Sequence, residues 1–68
     1  MNLLLPDDVE MDVPIEYLAV KDSVFIPTLK ATELRYIMRR VAKEIEITIE
    51  MHTVIEDGYL GLMVWRTK

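Results

Sequence analysis

Apolar and polar residues alternate from Ile45 to Ile55, with one exchange at Thr53-Val54. Ile45, Ile47, Ile49, Met51, Thr53 and Ile55 fall on one side, and Glu46, Thr48, Glu50, His52 and Val54 on the other. A period of two is that of an extended strand with two unlike faces. The run ends at Glu56-Asp57-Gly58-Tyr59. Asp-Gly is a strong two-residue hairpin signal, because a type I′ turn needs positive φ at both central positions. The spacing therefore predicts a hairpin whose return strand runs from Tyr59 to Arg66. In that register Ile55 faces Leu60, Thr53 faces Leu62 and Met51 faces Val64, forming the side expected to meet a helix. On the opposite side Glu50 lies across from Trp65, His52 from Met63 and Val54 from Gly61, with Tyr59 near the turn.

Before Ile45 the period is 3.6. Leu34, Ile37, Met38, Val41 and Ile45 recur at i, i+3, i+4, i+7 and i+11, flanked by Ala31 and Ala42. On a helix these five span an arc of roughly 100°. One apolar face only means a helix lying on a sheet, and Thr28 or Thr32 is a candidate cap. Upstream, Tyr17-Leu18-Ala19-Val20 and Ser23-Val24-Phe25-Ile26 are rich in strand formers. Pro27 lacks the N–H that a continuing ladder needs. Residues 1–14 alternate acids with Val9, Met11 and Val13 but contain Pro6 and Pro14. They read as an extended acidic arm whose apolar residues dock on another surface. The expected fold is α+β: one helix packed on a small antiparallel sheet in the order strand, helix, hairpin. Residues 1–68 form a single domain, with the arm at 1–14 and the α+β core at 15–68.

Composition sharpens this picture in two ways. The chain has 68 residues, no cysteine and 51% hydrophobic residues. With neither disulfide nor thiolate metal site to staple it, so small a domain relies on its core or on association with another chain. That apolar content implies a covered patch, hence a protein partner or a homo-oligomer. The N-terminal segment lacks the basic and apolar regions of a signal peptide, and no run approaches the roughly 18 apolar residues of a membrane span. A cytoplasmic, cysteine-free protein is expected, with no membrane role. The net charge of −4 is segregated: residues 1–29 carry six acids and Lys21 (−5), and residues 30–43 carry five cations and Glu33 (+4). Residues 44–57 carry five acids (−5), and Arg66 with Lys68 add +2. An acidic total argues against duplex DNA as the main partner, while the local basic block leaves single strands open.

Catalytic constellations are scarce. His52 is the only histidine, and Ser23 and Asp22 sit on a distant segment, so a nucleophilic triad has no basis in spacing. Asp7-Asp8 and Glu56-Asp57 fall in an arm and a turn, solvated places where neither acid/base chemistry nor metal binding is expected. Two glycines form no phosphate loop. No cofactor, metal or small-molecule substrate is implied. Two surfaces remain. The outer sheet face, with Trp65, Met63, His52, Tyr59 and Val54, suits a protein interface, unless residues 3–15 fold over it as an extra strand. On the helix, Tyr36, Arg39, Arg40 and Lys43 at i, i+3, i+4 and i+7 place a ring among three cations, suited to single-stranded nucleic acid. The competing readings of that stripe are a solvated face, or one neutralised by the acidic segment 7–16.

Asp22-Ser23-Val24-Phe25-Ile26-Pro27 before the helix, and Asp57-Gly58 leading to Val64-Trp65-Arg66, resemble a group of small bacteriophage proteins of unknown function. Those carry a "GDSFFVP" segment, a helix and a closing "GVRVWRI" strand. The resemblance spans roughly residues 21–67. It departs at Lys21, where the group has Gly, and in a less basic strand before the turn. It implies a phage-encoded accessory protein acting in the host cytoplasm, and it assigns no catalytic residue. The expected function is thus a non-enzymatic protein that binds another protein and self-associates. The alternative is a single-stranded nucleic-acid binder.

Overall fold

The computed structural model describes residues 1–68. In chain order the elements are β1 (Asn2–Leu4), β2 (Glu10–Asp12), a 3-10 turn (Ile15–Tyr17), β3 (Ser23–Pro27), α1 (Ala31–Glu44), β4 (Ile49–Glu56) and β5 (Tyr59–Arg66). β3, β5 and β4 form one antiparallel sheet in that order, and β1 and β2 form a separate hairpin. The α+β fold expected from the sequence, one helix on an antiparallel sheet, is the fold observed.

The β4–β5 register is the one set by Asp57-Gly58: Ile55 pairs with Leu60, Thr53 with Leu62, Met51 with Val64 and Glu50 with Trp65. Asp57 and Gly58 hold φ at 51° and 80°, as a type I′ turn requires. β5 is the central strand because β3 adds to its other edge, pairing Val24 with Val64 and Ile26 with Leu62. Thr28 N–H donates to Leu60 O and Arg66 N–H to Asp22 O. Alternation then turns the nitrogen of Pro27 away from β5, where a missing N–H costs nothing. The extended run expected over residues 16–26 is a strand only from Ser23. Residues 15–17 coil into the 3-10 turn, which buries Ile15 and leaves Tyr17 outside.

The core lies between α1 and one side of the sheet. Leu34, Met38 and Val41 from α1 meet Ile26, Leu62 and Val64, and Leu5, Val13, Ile15 and Leu18 complete the cluster. The N-terminal arm is therefore extended backbone folded on itself, and it docks in the core beside the helix. It does not reach the outer sheet face. Asp7 fixes its tip. It accepts hydrogen bonds from the Thr28 hydroxyl and from Leu29 N–H, the latter at 3.0 Å. Thr28 Oγ1 in turn accepts from Lys30 N–H at 2.9 Å, so the buried threonine organises the entry to α1 without capping it. The Met1 ammonium closes the other end on Glu16 and Asp12, at 2.5 and 3.0 Å.

Two boundaries differ from expectation. α1 ends at Glu44, and the strand begins only at Ile49, although the alternation starts at Ile45. Ile47 N–H donates to Ala42 O at 3.0 Å and Glu46 N–H to Lys43 O at 3.3 Å, with Glu46 at φ 60°. This is a Schellman ending with glutamate in the place glycine usually takes. Ile55 and Leu60, expected under the helix, are 72% and 38% exposed. The 8-residue strands extend about 27 Å against about 21 Å for the 14-residue helix, so the turn end of the hairpin overhangs. Thr53 is likewise exposed. Arg35 donates from Nη2 to Thr53 Oγ1 and from Nη1 to Met51 O, at 3.1 and 3.2 Å, capping the free edge of β4.

Replacing Glu46 with Gly should raise stability by about 1 kcal/mol, since a side chain in the left-handed region carries a cost that glycine does not. Thermal unfolding should then shift up by about 4–8 °C. The hydrogen bond from Thr28, then that from Leu29 N–H, holds the Asp7 carboxyl below its ordinary pKa. A depressed pKa contributes stability that is present above the unfolded-state value and lost as pH falls through the folded one. Denaturant melts below about pH 4 should therefore show a stability loss that Asp7→Asn flattens.

Candidate functional site

Strand parity decides what points away from α1. On β5 these are Tyr59, Gly61, Met63 and Trp65, on β4 Glu50, His52, Val54 and Glu56, and on β3 Ser23, Phe25 and Pro27. Met63, Trp65, Val54 and Phe25 are half-buried by one another, and Tyr59 is 67% exposed at the turn. His52 meets the Trp65 ring edge-on at 5.0 Å and 83°. Its Nε2–H donates to Glu50 Oε1 at 3.1 Å. The arrangement fixes the indole within the face. Gly61 is buried because the Phe25 ring lies across it: a Cβ there would stand 2.5 Å from Phe25 Cζ and 2.5 Å from Ile26 O.

At the end of the face remote from the turn, Lys21, Glu50, His52, Trp65, Arg66 and Thr67 surround an open recess of about 380 Å³. Arg66 is braced, donating from Nη1 to Leu18 O at 2.8 Å and from Nε to Lys68 O at 3.0 Å. Lys21 occupies the third position of a turn closed by Asp22 N–H to Ala19 O, with φ at 76°. That conformation favours glycine. Lys21 makes no ion pair. At the turn end, Leu29 (81% exposed), Ile55, Tyr59 and Leu60 leave an apolar rim beside the acids Glu56 and Asp57.

The second expected surface lies on the far side of the molecule. Tyr36, Arg39, Arg40 and Lys43 are all exposed on α1, facing away from the sheet. Arg39 sits 6.0 Å from the centre of the Tyr36 ring. The cations of this stripe pair with no carboxylate: of the acids in segment 7–16, Asp7 is directed to Thr28 and Leu29, Asp12 and Glu16 to Met1, and none to the stripe. The helix stripe and the sheet face are thus separate, and no one small ligand spans both. His52 bonds to Glu50 rather than to Ser23, which stands opposite Trp65 on the far strand. No group of three or more His, Asp or Glu side chains is arranged to hold a metal ion.

No protein-family model matches this chain, and no curated protein or solved structure matches it either. The site is read from its own residues. Trp65, Met63, His52, Val54 and Tyr59 stand where the hairpin register places them. Phe25, Lys21 and Arg66 were not among the expected site residues. Phe25 follows from parity once β3 is known to pair with β5. Lys21 stands out only through its positive φ, which no local sequence signal announces.

Gly61→Ala should cost about 1–3 kcal/mol, because the methyl group meets a backbone carbonyl that has nowhere to move. The Phe25 ring should also be expelled from the face. Thermal unfolding reads the first effect, and the aromatic NMR shifts of Phe25 and Trp65 read the second.

Proposed function

We propose that this chain is a non-enzymatic binding protein that docks another protein chain on the outer face of its sheet and self-associates. One observation carries the reading. The N-terminal hairpin commits Leu3, Leu5, Met11 and Val13 to the core beside α1, so the face bearing Phe25, Val54, Met63, Trp65 and Tyr59 is left uncovered. Tryptophan and tyrosine in such a setting supply most of the energy of protein interfaces. The resemblance to small phage proteins fits an accessory role in a host cytoplasm, achieved by binding. Wild-type bait and Trp65→Ala bait should differ in capture experiments: the truncation weakens a partner's hold by about 30-fold or more, as loss of an interface anchor does. Equal retention on both baits rejects this face.

A second reading has its own support in the unpaired cations around Tyr36. Single-stranded nucleic acid would stack on the ring while Arg39, Arg40 and Lys43 meet phosphates. Fluorescence anisotropy with labelled oligonucleotides at low salt should then show binding that weakens steeply as salt rises and is lost in Arg39→Ala/Arg40→Ala. No binding at low salt removes this reading.

A further inference from the structure

The outer sheet face carries opposite charge at its two ends. The recess end has Lys21 as its free cation, since Arg66 has the inward parity of Leu62 and Val64 and holds its guanidinium on the Leu18 and Lys68 carbonyls. The one carboxylate there, Glu50, is itself bonded to His52. The turn end has Glu56 and Asp57, both exposed and neither in an ion pair. Lys21 and Glu56 occupy diagonally opposite corners, one beyond the start of β3 and the other at the end of β4. A surface that is cationic at one corner and anionic at the other is complementary to itself only when turned end for end.

We propose that the occupant of this face is a second copy of the chain, related by a two-fold axis that reverses the strands. Glu56 of each copy enters the recess beside Lys21 and Trp65 of the other. The proposal rests on the reading of the outer face as a docking surface. Continuing the β3–β5 register sets Lys21 level with Thr67, while Glu56 is level with Tyr59. The midpoint of those two levels is Met63. Bringing the corners together therefore puts Met63 at the two-fold and lays each Trp65 over the other copy's Gly61 level. There the missing side chain and the Phe25 ring form a flat aromatic shelf. A two-fold parallel to the strands would instead bring the two acidic ends together and the two cationic ends together.

Three features favour a second copy over other occupants. The edges of the sheet are guarded, by Arg35 on the Met51 carbonyl and by Pro27 on β3, so association by strand addition is disfavoured. The charges of the face are few and acidic in sum, unlike a groove that tracks a run of phosphates. Lys21, in a backbone conformation better suited to glycine, projects a free cation at the rim of the recess. Strands about 27 Å long and three strands about 14 Å wide offer roughly 400 Å² per copy, half the area of a standard interface. The dimer is accordingly weak and reversible.

Sedimentation velocity over roughly 10 µM to 1 mM should show wild type passing from monomer to dimer, more readily at low salt. Lys21→Glu and Glu56→Lys should each weaken dimerisation by about tenfold or more. The double variant should recover it, and so should an equimolar mixture of the two single variants, because each mixed dimer then contains only opposite-charge corners. Lys21→Gly guards against misfolding as the cause: it should raise the thermal midpoint while weakening the dimer. A wild type that stays monomeric at 1 mM overturns the second copy as occupant, and Trp65-dependent capture of another protein would still support the docking surface. Dimerisation abolished by Trp65→Ala but indifferent to both charge reversals overturns the end-for-end pairing alone. Dimerisation indifferent to Trp65→Ala as well removes the docking surface with it. A monomer whose single tryptophan is quenched by an oligonucleotide transfers the face to nucleic acid and overturns the proposal.

Discussion

Asp57 and Gly58 accept the left-handed backbone that closes the β4–β5 hairpin, and that closure fixes the parity of every residue in the sheet. A slip of one position would exchange the two faces, sending Leu62 and Val64 outward and Trp65 and Met63 under the helix. The penalty is large, since Leu62 and Val64 are fully buried and burying each such side chain contributes about 1.5–3 kcal/mol. β3 then reads its own parity from β5, and the face that receives α1 is defined before the helix docks. The helix stripe, the N-terminal hairpin and the bare aromatic face are consequences of one turn.

Two sheet faces compete for a limited supply of covering residues. The helix covers one. The N-terminal hairpin is the only other element available, and its anchors decide where it goes. Asp7 satisfies the Thr28 hydroxyl and the Leu29 amide at the β3–α1 junction, which lies on the helix side. Leu5 and Val13 follow it inward and are almost fully buried. Their alternation with acids leaves the polar residues of the hairpin in water, the usual economy of a half-buried strand. With this element spent, the face carrying the only tryptophan has nothing in the chain to cover it.

The hairpin and the helix stripe were legible from the sequence because their signals are periodic and local, and the outward placement of Trp65, Met63, His52 and Val54 came with them. What escaped has physical reasons. The end of α1 was hidden because Glu46, not glycine, takes the left-handed position, and because the alternation begins at the helix cap, four residues before the strand. The strand character of residues 17–20 lost to the burial of Ile15 and Leu18, a tertiary demand that no local propensity reveals. The acids and prolines of residues 1–14 masked a hairpin whose stability comes from Asp7 and from the Met1 contacts rather than from strand propensity. Ile55 and Leu60 share the parity of core residues, but parity gives the face of a side chain and not whether the helix reaches that far. Lys21 illustrates the same limit, since its importance rests on a φ value.

Stability and association are coupled in a chain this small. Only 13 of 68 residues are buried, and Asp8, Lys21, Glu46 and Asp57 all hold positive φ without being glycine, each at some cost to the fold. A domain with that margin gains directly from any partner that binds only the folded form, by an amount that grows with the logarithm of the partner's concentration. The aromatic face is built on the central strand and braced from both sides, by His52 and by Phe25, so covering it stabilises the same hairpin that defines it. Binding at Tyr36 and the neighbouring cations would act instead through α1, on the opposite side of the core. The two surfaces therefore reach the fold through different elements, and what binds one does not obstruct the other.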